Sequence, residues 1–197
     1  MAYDDGLKWP FAGVDEVGRG PLAGPVVACA LILPKGCKIE GVRDSKKISR
    51  KLRKALEAKI IESAVCYAYG IISAPEIDET NILIATLKAM AVAIEGLELA
   101  PKIVIVDGIH APASKYATVC LKKGDSLSHT IAASSILAKE YRDRLMDEFH
   151  DEYPEYGFSS HKGYGTKKHF EAIYLHGLCQ LHRRSFLKKS DANLQIG

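Results

Sequence analysis

Cysteine is scarce in this chain: Cys29, Cys37, Cys66, Cys120 and Cys179 are odd in number, scattered, and include no Cys-X-X-Cys pair. That spacing argues against a disulfide framework or a zinc ribbon and fits free, buried thiols in a reducing compartment. Long apolar runs are missing too. Nothing reaches the ~18 residues needed to span a bilayer, and the first residues, with Tyr3, Asp4 and Asp5, are polar and acidic instead of signal-like. A soluble, cytoplasmic protein with no membrane partner is expected. There is no internal repeat and no low-complexity tract. Nor is there a nucleotide-cofactor fingerprint: the glycine-rich stretch from Gly18 to Gly24 (GRGPLAG) has neither dinucleotide nor P-loop spacing.

Charge of one sign is also missing overall, with a net of only +3, but it is unevenly spread. Between His161 and Lys189 stand seven Lys/Arg against the single acid Glu171, whereas Glu140 to Glu155 holds seven acids against Arg142 and Arg144. A basic C-terminal segment on a near-neutral body suggests a local electrostatic footprint, although solvated helix faces would look the same. At 197 residues, 47% apolar and 26% charged, the chain suits one domain with a small appendage and a core that needs no staples.

Periodicity gives strands over Trp9 to Val17, Pro25 to Leu33, Ala64 to Ser73, Lys102 to Asp107 and Tyr116 to Leu121. Helices are expected from a Ser49 cap to Ser63, with Leu52, Leu56, Ile60 and Ile61 on one face. Others run from a Thr80 cap through Leu97, from just after Lys122–Asp125 to about Tyr153, and from a Thr166 cap to His176. Residues 157–165 read as loop. Alternating strands and helices make this an α/β protein with a mixed sheet, an antiparallel meander joined to parallel strands.

Four acids share one kind of position. Asp15 and Glu16 end the first strand, Asp107 ends KIVIVD, and Asp125 follows the fifth strand. Acids at the ends of neighbouring strands converge at one edge of a sheet. Crowded carboxylates repel unless cations neutralise them, and oxygen ligands without His or Cys select Mg²⁺ or Mn²⁺. Two such ions ~4 Å apart can activate water and stabilise the leaving oxygen of a phosphodiester. Each acid alone could be a cap or a solvated turn residue. Adjacent strand residues face opposite ways, so the second of Asp15 and Glu16 is expected where the strand already breaks at Gly18. The glycines of the following loop let backbone groups approach a sugar or phosphate.

The chain resembles ribonuclease HII through five ordered blocks: GVDEVGRGPLAGPVV (Gly13 to Val27), DSKKIS (Asp44 to Ser49), VDG around Asp107, KGDSLSHTIAASSILAKEYRDRLM (Lys123 to Met146), and YGFSSHKGYGT with HRRSF (Tyr156 to Thr166, His182 to Phe186). The resemblance implies a ribonuclease H-like fold, a five-stranded mixed sheet flanked by helices. It implies a catalytic core over 1–155 and a basic, helical C-terminal extension over 156–197. Asp15, Glu16, Asp107 and Asp125 would be the catalytic and metal-binding carboxylates, using Mg²⁺ or Mn²⁺. The implied substrates are RNA–DNA hybrids and duplex DNA carrying single ribonucleotides, nicked on the 5′ side to leave 5′-phosphate and 3′-hydroxyl. Backbone groups of Gly18, Arg19 and Gly20 would contact the ribose 2′-hydroxyl, and Tyr164 would stack on the next deoxyribose. Lys46, Lys47, His161, Lys162, Arg183 and Arg184 would contact phosphates.

Arg142 could pair with Asp143 or Glu148, and Ser134 and Ser135 suit close helix packing. IHAP follows VDG where many relatives carry an asparagine, and the tail lacks an aromatic pair for a sliding clamp. Arg19, where ribonuclease HIII carries lysine, disfavours that sister group. A monomer is expected. A catalytically silent hybrid-binding scaffold or a junction resolvase of the same fold are the competing readings.

Overall fold

The computed structural model describes residues 3–42 and 48–187. Among them five strands, Phe11–Val17 (β1), Val26–Ile32 (β2), Cys66–Ile72 (β3), Ile103–Asp107 (β4) and Thr118–Leu121 (β5), form a sheet in the order β3-β2-β1-β4-β5. β2 runs antiparallel to β1 and β3, while β4 runs parallel to β1 and β5. The short link from β1 to β2 permits only a reversal, whereas β4 returns to β1 after three helices and two strands and can align parallel.

β2 carries no polar side chain and is buried along its whole length. Its alternation sends Ala28, Ala30 and Ile32 to one helical layer and Cys29 and Leu31 to the other. The first layer is Ile82–Glu95 (α3), contributing Ala85, Ala89, Met90 and Ala93. The second combines Arg50–Ser63 (α1) with the long His129–Glu152 (α5), whose Ala132, Ala133 and Ile136 lie on the sheet. From α1 only Leu56 and Ile60 are buried, at ~1.5–3 kcal/mol each. Leu52 and Ile61, expected on the same face, are 40% and 39% exposed, so the buried stripe is a single i, i+4 row.

The α5 backbone lies very close to β1. A Cβ added at Gly13 would sit 2.7 Å from the carbonyl carbon of Thr130, so glycine there sets the helix-to-sheet distance. Ser134 is buried and its hydroxyl donates to the Ile131 carbonyl at 2.8 Å, in keeping with a packing role. The helix start is held by Ser128, whose hydroxyl accepts from Ile131 N–H, and by Asp4, whose Oδ2 accepts from Thr130 N–H and hydroxyl.

Three expected boundaries change. Thr80 closes Ala74–Glu79 (α2), its hydroxyl donating to the Glu76 carbonyl, and Asn81 caps α3 by accepting from Leu83 and Ile84 N–H. The segment after β5 is not one helix: Gly124–Leu127 (α4) is a separate turn, entered through Lys123 in the left-handed region. Residues 157–165 include the helical turn Phe158–His161 (α6). Lys167–His176 (α7) begins at Thr166 as expected, and Arg184–Leu187 (α8) follows. Ala23, Met146, Tyr156, Phe158, Ala172 and Ile173 form a third apolar cluster that joins these C-terminal turns to the loop after β1. The five cysteines are free, with Cys29 and Cys66 buried. No helix among the described residues is long and apolar enough to cross a membrane.

Candidate active site

The parallel pairing of β1 with β4 ends at Val14 and Val106, so the next residue on each strand is an acid, Asp15 and Asp107. This register, set by the buried apolar residues before it, brings two distant carboxylates side by side. Glu16 does not wait for the strand to break, contrary to the expectation above: it is still paired with Ala28 on the β2 side. Asp15 and Glu16 therefore straddle the strand tip. Asp15 faces α5, where Ser135 hydrogen-bonds to it, and Glu16 faces a cleft beneath α3. That cleft, about 480 Å³, is bordered by Glu16, Arg19, Asp107 and Asp125, with Thr86 and Met90 of α3 as its wall.

The electrostatics follow from burial. Asp15 is 5% exposed, and its carboxyl is pushed well above the usual range by burial and then by the charges of Glu16 and Asp107. Glu16 is raised by burial and by Asp107, against the pull of the Arg19 guanidinium. Several oxygens are turned to local partners. Asp15 Oδ1 accepts from Glu16 N–H at 2.7 Å, Asp107 Oδ1 from Gly124 N–H at 2.6 Å, and Glu16 Oε1 from Arg19 Nη1 at 3.4 Å. Among the described residues no group of three His, Cys, Asp or Glu side chains is gathered closely enough to hold a metal ion as they stand. The donor chemistry nevertheless fits a hard divalent cation: the carboxylates are oxygen donors, and Asp15, Glu16 and Asp107 carry mutual repulsion that a cation would relieve.

The loop from Gly18 to Pro25 is held from behind by two buried arginines. Arg142, on α5, donates from Nε to Pro25 O (2.9 Å), from Nη1 to Lys162 O (3.0 Å) and from Nη2 to Ala23 O (3.2 Å). Arg183 donates from Nη2 to Gly18 O (2.6 Å), from Nη1 to Arg19 O (3.1 Å), and from Nε and Nη2 to Gly24 O. Both are fully buried, and burial lowers their guanidinium pKa values to about 10 and about 9. Gly18, at φ +92°, has no room for a side chain: its Cβ would lie 2.3 Å from Arg142 Nε. In a planar trans peptide the N–H points opposite to the C=O. With the Gly18 and Arg19 carbonyls turned toward Arg183, the N–H groups of Arg19 and Gly20 point away from it. Tyr164 stands beside this loop, 44% exposed, with a ring carbon 3.6 Å from where a Gly20 Cβ would be.

Several expected phosphate contacts are placed differently. Arg183 is buried with its N–H groups spent on carbonyls, so it is a brace for the loop and not a surface cation. Lys162 is buried, and its ammonium donates to the Asp143 carbonyl and pairs with Asp147. His161 has both ring nitrogens engaged, Nδ1 accepting from Gly163 N–H and Nε2 bonded to Tyr156 O, and burial depresses its pKa. A neutral, saturated imidazole is a poor phosphate ligand. Arg184 is exposed, as the expectation requires, although its own N–H is held by Asp78. Lys46 and Lys47 lie outside the described residues. Arg142 pairs with neither Asp143 nor Glu148. Its sequence signal was its place on the buried row of α5 with Ile131, Ser135, Ala138 and Met146, and Ser135 was likewise read only as a packing residue.

A sequence model of the family described as Ribonuclease HII matches residues 12–189. The chain is similar to the ribonuclease HII of Chlamydia caviae, at 54% identity over 93% of this chain and 86% of that one. It is also similar to the ribonuclease HII of Syntrophus aciditrophicus, at 48% identity over 96% and 89%. Among solved structures, ribonuclease H2 from Pyrococcus horikoshii OT3 superposes with a TM-score of 0.75 at 27% identity, over 89% of this chain and 92% of that one.

Proposed function

The chain belongs to the ribonuclease HII family of ribonuclease H enzymes, and from that footing we propose that it is an endonuclease that hydrolyses the RNA strand of RNA–DNA hybrids and nicks duplex DNA on the 5′ side of a single ribonucleotide. The observation that carries this reading is the meeting of Asp15 and Asp107 at matched strand ends, beside a loop whose carbonyls are turned inward. Asp15, Glu16, Asp107 and Asp125 would hold Mg²⁺ or Mn²⁺. Such ions supply Lewis-acid activation of water and neutralisation of charge on the phosphate, leaving 5′-phosphate and 3′-hydroxyl ends. The chain's own contributions are orientation and selection. Ser135 and the Glu16 N–H fix the Asp15 carboxylate, and the Gly124 N–H fixes that of Asp107. The outward N–H groups of Arg19 and Gly20 are suited to donate to a 2′-hydroxyl oxygen, the atom that distinguishes RNA from DNA. The Tyr164 ring, exposed beside them, is suited to stack on the following deoxyribose.

The test is cleavage with Mg²⁺ and with Mn²⁺ on three substrates: a continuous hybrid, a duplex with one ribonucleotide, and an all-DNA duplex. Cutting of the first two only is expected. Asp15→Asn and Asp107→Asn should abolish it while hybrid binding survives. Cleavage of all-DNA duplex, or undiminished cleavage by both variants, overturns the proposal.

A further inference from the structure

Four groups outside the acid cleft form a directional chain that ends on Tyr164. His182 Nδ1 lies 3.1 Å from the Cys179 N–H and 3.4 Å from the Cys179 carbonyl, so the far end decides its state. His169 Nδ1, 2.9 Å from the Tyr164 carbonyl, can meet it only as a donor, which makes His169 Nε2 an acceptor. His182 Nε2 lies 3.1 Å from that nitrogen, so it carries the His182 proton, and Nδ1 is left to accept from Cys179 N–H. The arrangement admits one neutral tautomer at each ring and runs in one direction only.

This chain is buried and braced. His169 and His182 are 0% and 3% exposed. The His161 ring stacks on His169 at 4.4 Å and 19°, while Phe158 and Tyr156 pack against the pair. The charged and titratable groups facing it are His161, the Cys179 thiol 3.2 Å from His182 Nδ1, the Tyr156 phenol, and Arg184 beside His182. No carboxylate is among the influences acting on either imidazole, and burial lowers both pKa values to about 4. The pair is therefore held in the neutral, N–H···N form.

The neighbour of His182 in sequence is Arg183, which braces the carbonyls of Gly18 and Arg19, and His182 itself bridges to Ala23 of the same loop. One short segment thus reaches both sugar-reading elements, the glycine loop through Arg183 and the Tyr164 turn through His182 and His169. The turn is also tied directly, its Gly163 carbonyl accepting from Leu22 and Ala23 N–H and its Tyr164 carbonyl from Thr166 N–H. The His169 bond adds the link from that carbonyl to the segment that carries Arg183. We propose that the His182–His169 pair is a positioning device for substrate selection, setting the distance between the ribose-reading loop and Tyr164 so that a ribonucleotide followed by a deoxyribonucleotide is recognised. It rests on the reading of Tyr164 given above.

The experiment compares kcat and KM on two substrates, a duplex with one ribonucleotide and a continuous RNA–DNA hybrid, for wild type, Tyr164→Ala, His169→Phe and His169→Asn. Tyr164→Ala should lower the preference for the single ribonucleotide; if it does not, the reading of Tyr164 fails. If it does, His169→Phe, which removes the side-chain donor to the Tyr164 carbonyl and leaves that of Thr166 N–H, should lower the same preference about three- to tenfold through kcat. His169→Asn, whose amide N–H reaches the position of Nδ1 but which offers no acceptor to His182 Nε2, should restore only part of it, and full restoration would show that the link to His182 is not needed. Equal preference in His169→Phe and wild type, with Tyr164→Ala affected, overturns the inference. So does failure of His169→Asn to differ from His169→Phe. ¹⁵N NMR of the wild-type chain gives a second reading that needs no variant. It should show His182 protonated at Nε2 and His169 at Nδ1 at neutral pH, and the opposite tautomers would refute the chain.

Discussion

Replacing Arg183 by methionine tests whether the glycine loop owes its shape to the buried guanidinium. Methionine keeps the unbranched stem and much of the volume but none of the donors. Three carbonyls, those of Gly18, Arg19 and Gly24, lose their partner. At ~1–3 kcal/mol for each buried acceptor left unmade, the loss is about 3–9 kcal/mol. Against it stands relief of the buried charge. A guanidinium brought down to about 9 by burial carries a penalty of about 4–5 kcal/mol that the variant no longer bears. The two largely cancel, leaving a destabilisation of about 2 kcal/mol, or a fall in Tm of about 4–8 °C. Function should suffer far more than stability. Without the brace the peptide planes after Gly18 and Arg19 are free to rotate, and two oriented N–H donors are lost together. A fall of about 100-fold in kcat/KM on a single-ribonucleotide duplex is expected, by analogy with the loss of a preorganised donor elsewhere. Arg183→Lys should do little better, since one ammonium cannot span carbonyls that a planar fork reaches from three nitrogens. The assay is single-turnover cleavage at a temperature well below the variant's Tm, with Tm read from thermal melts. Wild-type kcat/KM in a folded Arg183→Met protein would refute the argument. So would a loss of activity no larger than the unfolded fraction explains.

Two further outcomes concern the acids and the histidines. Because Asp15 is buried beside Glu16 and Asp107, Asp15→Asn should raise Tm in metal-free buffer. The same variant should lose most of the Tm increase that Mg²⁺ or Mn²⁺ gives the wild type. That increase should grow with pH as the acids ionise, and chelator should reverse it; a metal-independent Tm in the wild type would count against the cation site. His169 and His182, near 4 in the folded chain against an ordinary value of 6.5, bind fewer protons folded than unfolded between those values. Stability should therefore be full above about pH 6.5 and fall as pH drops toward 4, by up to about 3 kcal/mol per histidine. Urea melts at pH 7 and pH 4.5 check this, and a His169→Asn/His182→Gln double variant should show a much shallower fall.

What could be read from residue order divides along a physical line. The five strands, and the placing of Asp15 and Asp107 at strand ends, follow from apolar runs whose burial leaves little choice, and these were legible. So were the caps at Ser49 and Thr166. The register that sets the ends carrying Asp15 and Asp107 side by side shows only in the structure. Thr80 was misread because two capping residues stand in succession, and only the packing of α2 decides which of them opens α3. The basic C-terminal residues were misread more deeply. Lys162 and Arg183 look like solvent-facing cations in a charge count, yet they lie inside. The irregular backbone of GRGPLAGP has carbonyls that no ladder satisfies, and once that loop is covered it needs buried donors. A count of charges along the chain cannot show that demand, although the position of Arg142 among apolar neighbours on α5 hints at it. His161 shows the same limit, since its saturation depends on a turn at 156–163 that periodicity does not reveal.

The last matched pair of β1 and β4 has a consequence for how the gene can vary. Substitutions along Ile103–Val106 exchange one apolar contact for another and leave Asp107 at its post. Loss or gain of one codon there is another matter, because the side-chain repeat of a strand is two residues. A deletion would turn Asp107 toward the opposite layer and carry the apolar row of β4 out of its seat. The crossover from Gly108 to Ala117 lies outside the ladder apart from its two ends, where Gly108 N–H donates to the Leu121 carbonyl and the Ala117 carbonyl accepts from Val104 N–H. Length changes should therefore accumulate between β4 and β5 and be absent from the strand before them.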